Sequence, residues 1–261
     1  MGYMFSHLRL LGVLPRLGIC YGLAAVVALS MKHKFIPWLI AILFIRYYFI
    51  LKLGNGYAHA ATNTLAVVEN YVLGPRHVYK WDTPDPEGLV STFLALGHVL
   101  IGFCVGKVIM NLKDLNDKIE RLFVIGTILI LAGVLLAYVC PISKKLWTPT
   151  FALTTCGIAS SLLALLTWMI DKRHCTGKAS EFFHIFGVNP LALYVFSDLL
   201  FIPFTIIPFI GKHALQHVMY NDVFSAFLNP PCASLLWACF CLATCWALGL
   251  WLYKKKIYIK L

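Results

Sequence analysis

The residues best equipped for chemistry are few in this chain. Asp85-Pro86-Glu87-Gly88 sets two carboxylates just ahead of an apolar run, and His77 precedes them in Leu73-Gly74-Pro75-Arg76-His77-Val78-Tyr79. Carboxylates at a helix mouth hold an ammonium or accept a proton, and a histidine at a membrane surface adds an acid, base or hydrogen-bond donor near neutral pH. The acidic run also reads as a helix start, with Asp85 as N-cap, Pro86 at the first helical position and Glu87 in the positive end of the dipole. Both uses are compatible, because a capped carboxylate keeps lone pairs. Arg16, after Pro15, and Lys144, Lys145 and Trp147 in a tight turn form a cationic set suited to a carboxylate or phosphate. Snorkelling and interface anchoring are their alternative uses. His98 and Asp198 fall in the middle of apolar runs, where ionisable groups are expensive and face a bundle interior or a pathway. Gly102 and Gly106 follow His98 at GxxxG spacing, which predicts a close helix contact.

The frame that must hold these residues is made for hydrocarbon. Of 261 residues, 60% are hydrophobic and 13% charged, and the mean hydropathy is +0.80, which describes no water-soluble surface. A soluble enzyme, a nucleic-acid-binding domain and a secreted disulfide scaffold are excluded. The net charge of +11 comes in short basic clusters between apolar runs, the pattern that orients a membrane protein. The nine cysteines form no CxxC pair and mostly sit inside apolar runs, so they read as small buried hydrophobes with no metal site. No Walker loop, GxGxxG or HExxH occurs. The first apolar run lacks a small-residue cleavage site and is long enough to span, which makes it a span and not a cleaved leader.

Spans are predicted at 12–30, 35–52, 88–110, 121–140, 149–170, 189–210 and 233–253. The expected fold is all-α, a polytopic transmembrane helix bundle of about seven spans forming one domain over residues 1–261. Pro37, Pro149, Pro190 and Pro231 stand near run beginnings, and Trp38, Trp81, Trp147, Trp251 and Tyr253 near the interfaces. Thirteen Lys and Arg lie on the side shared by the 31–34, 107–121 and 171–181 loops and the C-terminal tail, against eight on the other side, with Arg46 inside a span. That bias predicts a cytoplasmic C-terminus. Loops 53–87 and 211–232 then face outward, and Tyr57, Tyr71, Tyr79 and Trp81 predict that the first is ordered.

Five motifs in order resemble the heparan-α-glucosaminide N-acetyltransferase family, above all its bacterial members: Leu8-Arg9-Leu10-Leu11-Gly12-Val13-Leu14-Pro15-Arg16-Leu17-Gly18, Leu73-Gly74 with His77 and Tyr79, Asp85-Pro86-Glu87-Gly88, Pro141 through Thr148, and Asn189-Pro190-Leu191. The ending Tyr253-Lys254-Lys255-Lys256-Ile257 is similar too. The resemblance implies a multi-pass enzyme that takes acetyl from cytoplasmic acetyl-CoA, used as a substrate with no metal, and delivers it across the membrane to the amino group of a glucosamine-type sugar. Asp85 and Glu87 then become amine-binding groups and candidate bases, His77 their support, Arg16 and Lys144 binders of anionic groups, and Trp147 and Asn189 further substrate contacts. The departures are Ser143 for a usual asparagine, Pro15 for a polar residue, and Glu69 for a usual aspartate. Family members also carry spans ahead of this region, with the histidine held to carry the acetyl group. The expected partners are therefore the lipid bilayer, an amino-sugar or glycan acceptor, and a second copy or a separate N-terminal chain, with no nucleic acid. An inactive or split fragment and a membrane transporter are the competing expectations. The absence of Asn-x-Ser/Thr sequons favours a bacterial inner membrane over a glycosylated organelle.

Overall fold

The computed structural model describes residues 9–58, 62–79, 83–206, 208–210, 213–214, 220, 225 and 229–259. Apolar runs of 17 to 25 residues become the helices α1 (Val13–Ser30), α2 (Ile36–Leu53), α4 (Leu89–Asn111), α5 (Leu115–Leu136), α6 (Pro149–Thr167), α8 (Pro190–Ile206) and α9 (Pro230–Lys254), with shorter α3 (Thr64–Leu73) and α7 (Lys178–Val188) between them. Among the described residues six helices are long and apolar enough to cross a membrane, and a seventh span arises if the bent pair α7 and α8 is one. The architecture is that of an all-α membrane bundle. Leu29, Leu53 and Met110 stand more than four-fifths exposed on it, which only a hydrocarbon surrounding makes inexpensive. The chain divides into two compact units, Met1–His174 and Cys175–Leu261.

In the first unit α2 buries one stripe, Ile36, Ile40, Phe44, Tyr47 and Leu51, at the three- and four-residue spacing of one helix face. It packs on Leu94, Leu100 and Ile101 of α4. The approach is closest at Gly97, where a Cβ would lie 2.6 Å from the Phe44 ring. The expectation for Gly102 and Gly106 is corrected. A Cβ at either would meet nothing within 4 Å, because α4 makes its contacts through other faces, and these glycines instead line a cleft of about 640 Å³ with His98, Cys156 and Ser160. The tight helix pair is α5 with α6. A Cβ on Gly157 would fall 2.7 Å from the Gly126 carbonyl oxygen, and one on Gly133 would strike Thr154 and come within 2.9 Å of its backbone nitrogen. Without side chains at these points the backbones touch, and van der Waals contact replaces the hydrophobic drive that lipid cannot supply.

Helix limits depart from the apolar runs where polar residues continue a helix. The run predicted at 121–140 is a helix from Leu115, because Asn116 to Arg121 tolerate helical backbone while lying outside the apolar stretch. In the second unit the basic loop expected at 171–181 gives way at Lys178 to the helix α7. It meets α8 at an 80° bend, since Pro190 disfavours helical backbone at Asn189, whose φ and ψ are −136° and 49°. α9 fits into that unit at Gly249, where a Cβ would touch Ile185 and Leu193. The span expected to reach 210 ends at Ile206, and Pro208–Ile210 pairs antiparallel with His213–Ala214 as β1 and β2. Most of loop 211–232 lies outside the described residues.

A methyl group at Gly157 overpacks the α5–α6 contact, at a cost of about 1–3 kcal/mol. Gly157→Ala is therefore expected to lower the thermal unfolding midpoint in detergent, while Gly102→Ala, which fills open space, leaves it unchanged.

Candidate functional site

The described residues of loop 53–87 are tied at both ends of the loop by hydrogen bonds. The fully buried Asn63 caps α3, its Oδ1 accepting from Leu65 N–H at 2.9 Å while its amide donates to the Gly56 and Ala58 carbonyls, both at 2.8 Å. Thr64 donates to the Gly54 carbonyl at 2.7 Å and so fastens α3 to the end of α2. The buried side of α3 consists of Leu65, Ala66 and Glu69, which sets a carboxyl against the start of α4. There Gly88 lies flat on it, and any Cβ at Gly88 would overlap the Glu69 carboxylate.

Asp85 does not cap α4, which corrects the expectation from the sequence. The N-cap is Gly88 and the helix begins at Leu89, so Pro86 and Glu87 precede it. The Asp85 carboxylate is taken up elsewhere. Its Oδ1 accepts from Glu87 N–H at 2.9 Å and from Arg9 Nη2, and its Oδ2 accepts from Tyr79 N–H at 3.0 Å and from Arg9 Nε at 3.3 Å. The Gly88 N–H closes the turn onto the Asp85 carbonyl at 3.1 Å. Arg9 also donates through Nη2 to Glu87 Oε2 and stacks its guanidinium 4.5 Å from the Tyr79 ring centre. One planar fork thus bridges both carboxylates, a geometry that arginine supplies and lysine does not.

Arg16 completes the other half. It is buried on the face of α1 shared with Cys20 and Ala24, and donates to Thr92 Oγ1 at 3.3 Å, to the Pro86 carbonyl at 3.1 Å and to Ser91 Oγ. Its guanidinium lies 4.6 Å from the ring centre of Trp147, a cation–π contact. Trp147 is presented from the 141–148 turn with a left-handed φ of 53°. That turn is held by Tyr47, whose hydroxyl donates to the Leu146 carbonyl, and by Thr148, which caps α6 by accepting from Phe151 N–H at 3.3 Å. Arg16 has five N–H donors, of which three find acceptors among the described residues.

Asp85, Glu87, Arg16 and Trp147 therefore come together, as the sequence predicts. Lys144 stands exposed at the edge, and its neighbour Lys145 donates to the Thr83 carbonyl at 3.3 Å. His77 is half-buried and contributes backbone, accepting from Leu10 N–H at 3.2 Å. Asn189 belongs to the second unit. It is fully buried, donates to the Ile257 carbonyl at 3.0 Å and accepts from Ile259 N–H at 2.7 Å, so its amide fastens the C-terminal segment to the α7–α8 bend. Asp198 is exposed on α8. His98 packs 5.8 Å from Trp147 and 6.4 Å from Phe151 between ring centres. Trp81 lies outside the described residues. No group of His, Cys, Asp and Glu fit to hold a metal ion exists among the described residues.

Sequence reasoning passed over Arg9, Ser91 and Thr92 as parts of the site, and treated Glu69 as one loop acid among several. Glu69 had a signal, namely its four-residue spacing from Leu65 on a helix with an Asn cap. Its side chain is 2% exposed, with Oε2 accepting from Asp85 N–H at 3.3 Å and Oε1 lacking any partner among the described residues. The Trp147 indole N–H is likewise buried without a partner. Burial, reinforced by the negative charge of Asp85, pushes the Glu69 carboxyl up to about 7, against the opposing pull of the Asp85 N–H, Arg16 and Arg9. The site holds an unspent acceptor on Glu69 and unspent donors on Arg16 and Trp147, whose side chains stack on one another.

No protein-family model and no curated protein sequence match the chain, so the family resemblance rests on the quoted motifs.

The raised value of Glu69 makes stability fall with rising pH. In the unfolded chain the carboxyl ionises near 4.5 and in the folded protein only near 7, so between these values the folded state holds more protons. The contribution is complete below about pH 4.5 and is lost as pH rises through about 7, amounting to about 3 kcal/mol. Thermal unfolding in detergent from pH 4.5 to 8 is expected to show this decline, and Glu69→Gln is expected to flatten it.

Proposed function

We propose that the chain acts in membrane-embedded acyl transfer, moving acetyl from acetyl-CoA to the amino group of a glucosamine-type sugar, and that the Arg9, Glu69, Asp85, Glu87, Arg16 and Trp147 cluster receives the sugar. The observation that carries this is the cluster itself: partly buried opposite charges at the mouth of α4, with a carboxyl oxygen and an indole N–H left unused. An amino sugar presents the matching groups, an ammonium for the carboxylates and hydroxyl oxygens for the N–H donors of Arg16 and Trp147. Only the free amine attacks an acyl carbon, so a carboxylate that draws the ammonium in and takes up its proton serves binding and reaction together. Asp85, with its lone pairs already committed, orders the turn. Glu87, whose side chain is 24% exposed, meets the acceptor.

In this reading the cluster faces outward from a bacterial inner membrane and the C-terminus is cytoplasmic. The thirteen-to-eight distribution of Lys and Arg supports that orientation. Acetyl-CoA would arrive on the opposite side, and the resemblance to the acetyltransferase family implies that the acetyl-carrying histidine belongs to a separate or preceding block. A second reading, transport of a small amino compound, draws on the 80° break between α7 and α8, since broken helices line transporter sites.

Purified protein in detergent, incubated with radiolabelled acetyl-CoA and glucosamine, alone and with a separately expressed N-terminal block of a family member, is expected to acetylate the sugar in at least one mixture. Glu87→Gln is expected to reduce that transfer about tenfold or more. No transfer in either mixture, together with glucosamine uptake into vesicles without acetyl-CoA, would favour transport instead.

A further inference from the structure

The acceptor cluster contains three carboxyls, Glu69, Asp85 and Glu87, and two guanidiniums, Arg9 and Arg16. Arg9 is engaged by Asp85 and Glu87 together. Arg16 is held by Ser91, Thr92, the Pro86 carbonyl and the Trp147 face, with no carboxylate among its hydrogen-bond partners in the described residues. If all three carboxyls ionise, the cluster carries one net negative charge, and with Glu69 protonated it is neutral. Burial in a membrane protein strongly favours the neutral arrangement. Glu69 is the one of the three best placed to take the proton: it is buried with an Oε1 that has no partner among the described residues, whereas both oxygens of Asp85 are occupied and the partly exposed Glu87 is paired with Arg9.

We propose that the cluster is a proton-linked ammonium site, in which Glu69 is protonated at rest and releases its proton when a primary ammonium binds beside Glu87. The inference rests on the acyl-transfer reading only for the identity of the amine. Charge balance supplies the exchange: a bound cation would leave the neutral cluster at plus one, and ionisation of Glu69 restores zero. The groups that set this exchange come from each element packed around the carboxyl. They are Asp85 on the turn before α4, Arg9 ahead of α1, Arg16 on α1 and the Tyr47 hydroxyl on α2. Gly88, lacking a side chain, leaves nothing between the carboxyl and the turn that carries Asp85 and Glu87. The direction agrees with the upward displacement of Glu69 by burial and by Asp85.

The exchange also prepares the reaction. With Glu69 ionised, the bound ammonium first passes one proton to Glu69, and the free amine nitrogen then bonds to the acyl carbon of an acetyl group carried on an imidazole nitrogen while that carbon–nitrogen bond breaks. The second proton leaves the amine nitrogen for the departing imidazole, giving a neutral amide, a neutral imidazole and a protonated Glu69. The cluster thus returns to its resting charge as the product forms, and loss of the cation removes what held the amine.

Proton release can be counted without any acetyl donor, which separates this inference from the acyl-transfer reading. Titration calorimetry of the full chain in detergent with glucosamine at pH 6, in two buffers of different ionisation enthalpy, is expected to show close to one proton released per sugar bound. Glu69→Gln is expected to bind with none released, and Glu87→Gln to weaken binding about tenfold or more. Binding by the wild-type protein with no proton released would overturn the proposal, as would undiminished release from Glu69→Gln or an absence of binding at millimolar sugar. The wild-type count alone decides the matter if the Gln variant does not fold. Confirmed proton-linked binding without acetyl transfer would leave the site standing and remove the enzymatic reading.

Discussion

A guanidinium inside a bundle whose outer faces are apolar must be satisfied by its own protein, because hydrocarbon offers it no partner. Arg16, buried on α1, meets this requirement at the mouth of α4 with the partly exposed Arg9 beside it, and much of the first unit is arranged around the two. Arg9 needs two carboxylates at fork spacing, so residues 85–88 form a turn and helix α4 starts at Leu89. Arg16 needs hydroxyls, so Ser91 and Thr92 occupy the first turn of an otherwise apolar helix. Trp147 needs a cation, and the 141–148 turn adopts a left-handed residue to deliver it.

The same requirement explains the long loop. Breaking a buried charge pair leaves an uncompensated ion and costs several kcal/mol, so the segment carrying Tyr79 and Asp85 has to be held in place. Asn63 and Thr64 fix α3 to the end of α2, α3 carries Glu69 to Gly88, and the Leu10 N–H bonds to the His77 carbonyl. Helix packing below the site follows ordinary steric rules, with Gly97 admitting Phe44 and Gly126 and Gly157 letting α5 and α6 touch. Polar precision is thereby concentrated at one end of the unit, and apolar contact suffices for the remainder.

Composition and run length were enough to read the all-α membrane bundle, because hydrocarbon imposes one length and one polarity on every span. The grouping of Asp85, Glu87, Arg16 and Trp147 was readable for a related reason: charged and aromatic residues at span ends gather at the same interface. What the sequence could not show was which acid pairs with which base, since that depends on where loops fold back. Arg9 looked like a topological charge until the loop brought Asp85 to it, and Asp85 looked like a cap until its carboxylate was claimed. Gly102 and Gly106 had the spacing of a helix contact, but spacing does not say which face of α4 meets a neighbour. The bend at Asn189 follows from Pro190, whereas the use of the Asn189 amide to bind the C-terminal segment depends on residues nearly seventy positions away.

If buried charge balance at the mouth of α4 is the basis of function, the site should be visible when filled. The most direct measurement is an experimental structure of the protein with glucosamine bound. Its ammonium nitrogen is expected within about 3 Å of a Glu87 or Glu69 carboxylate oxygen, with sugar oxygens turned toward Arg16 and Trp147. A sugar seated instead in the His98 cleft, with the Arg9, Asp85 and Glu87 network untouched, would contradict it.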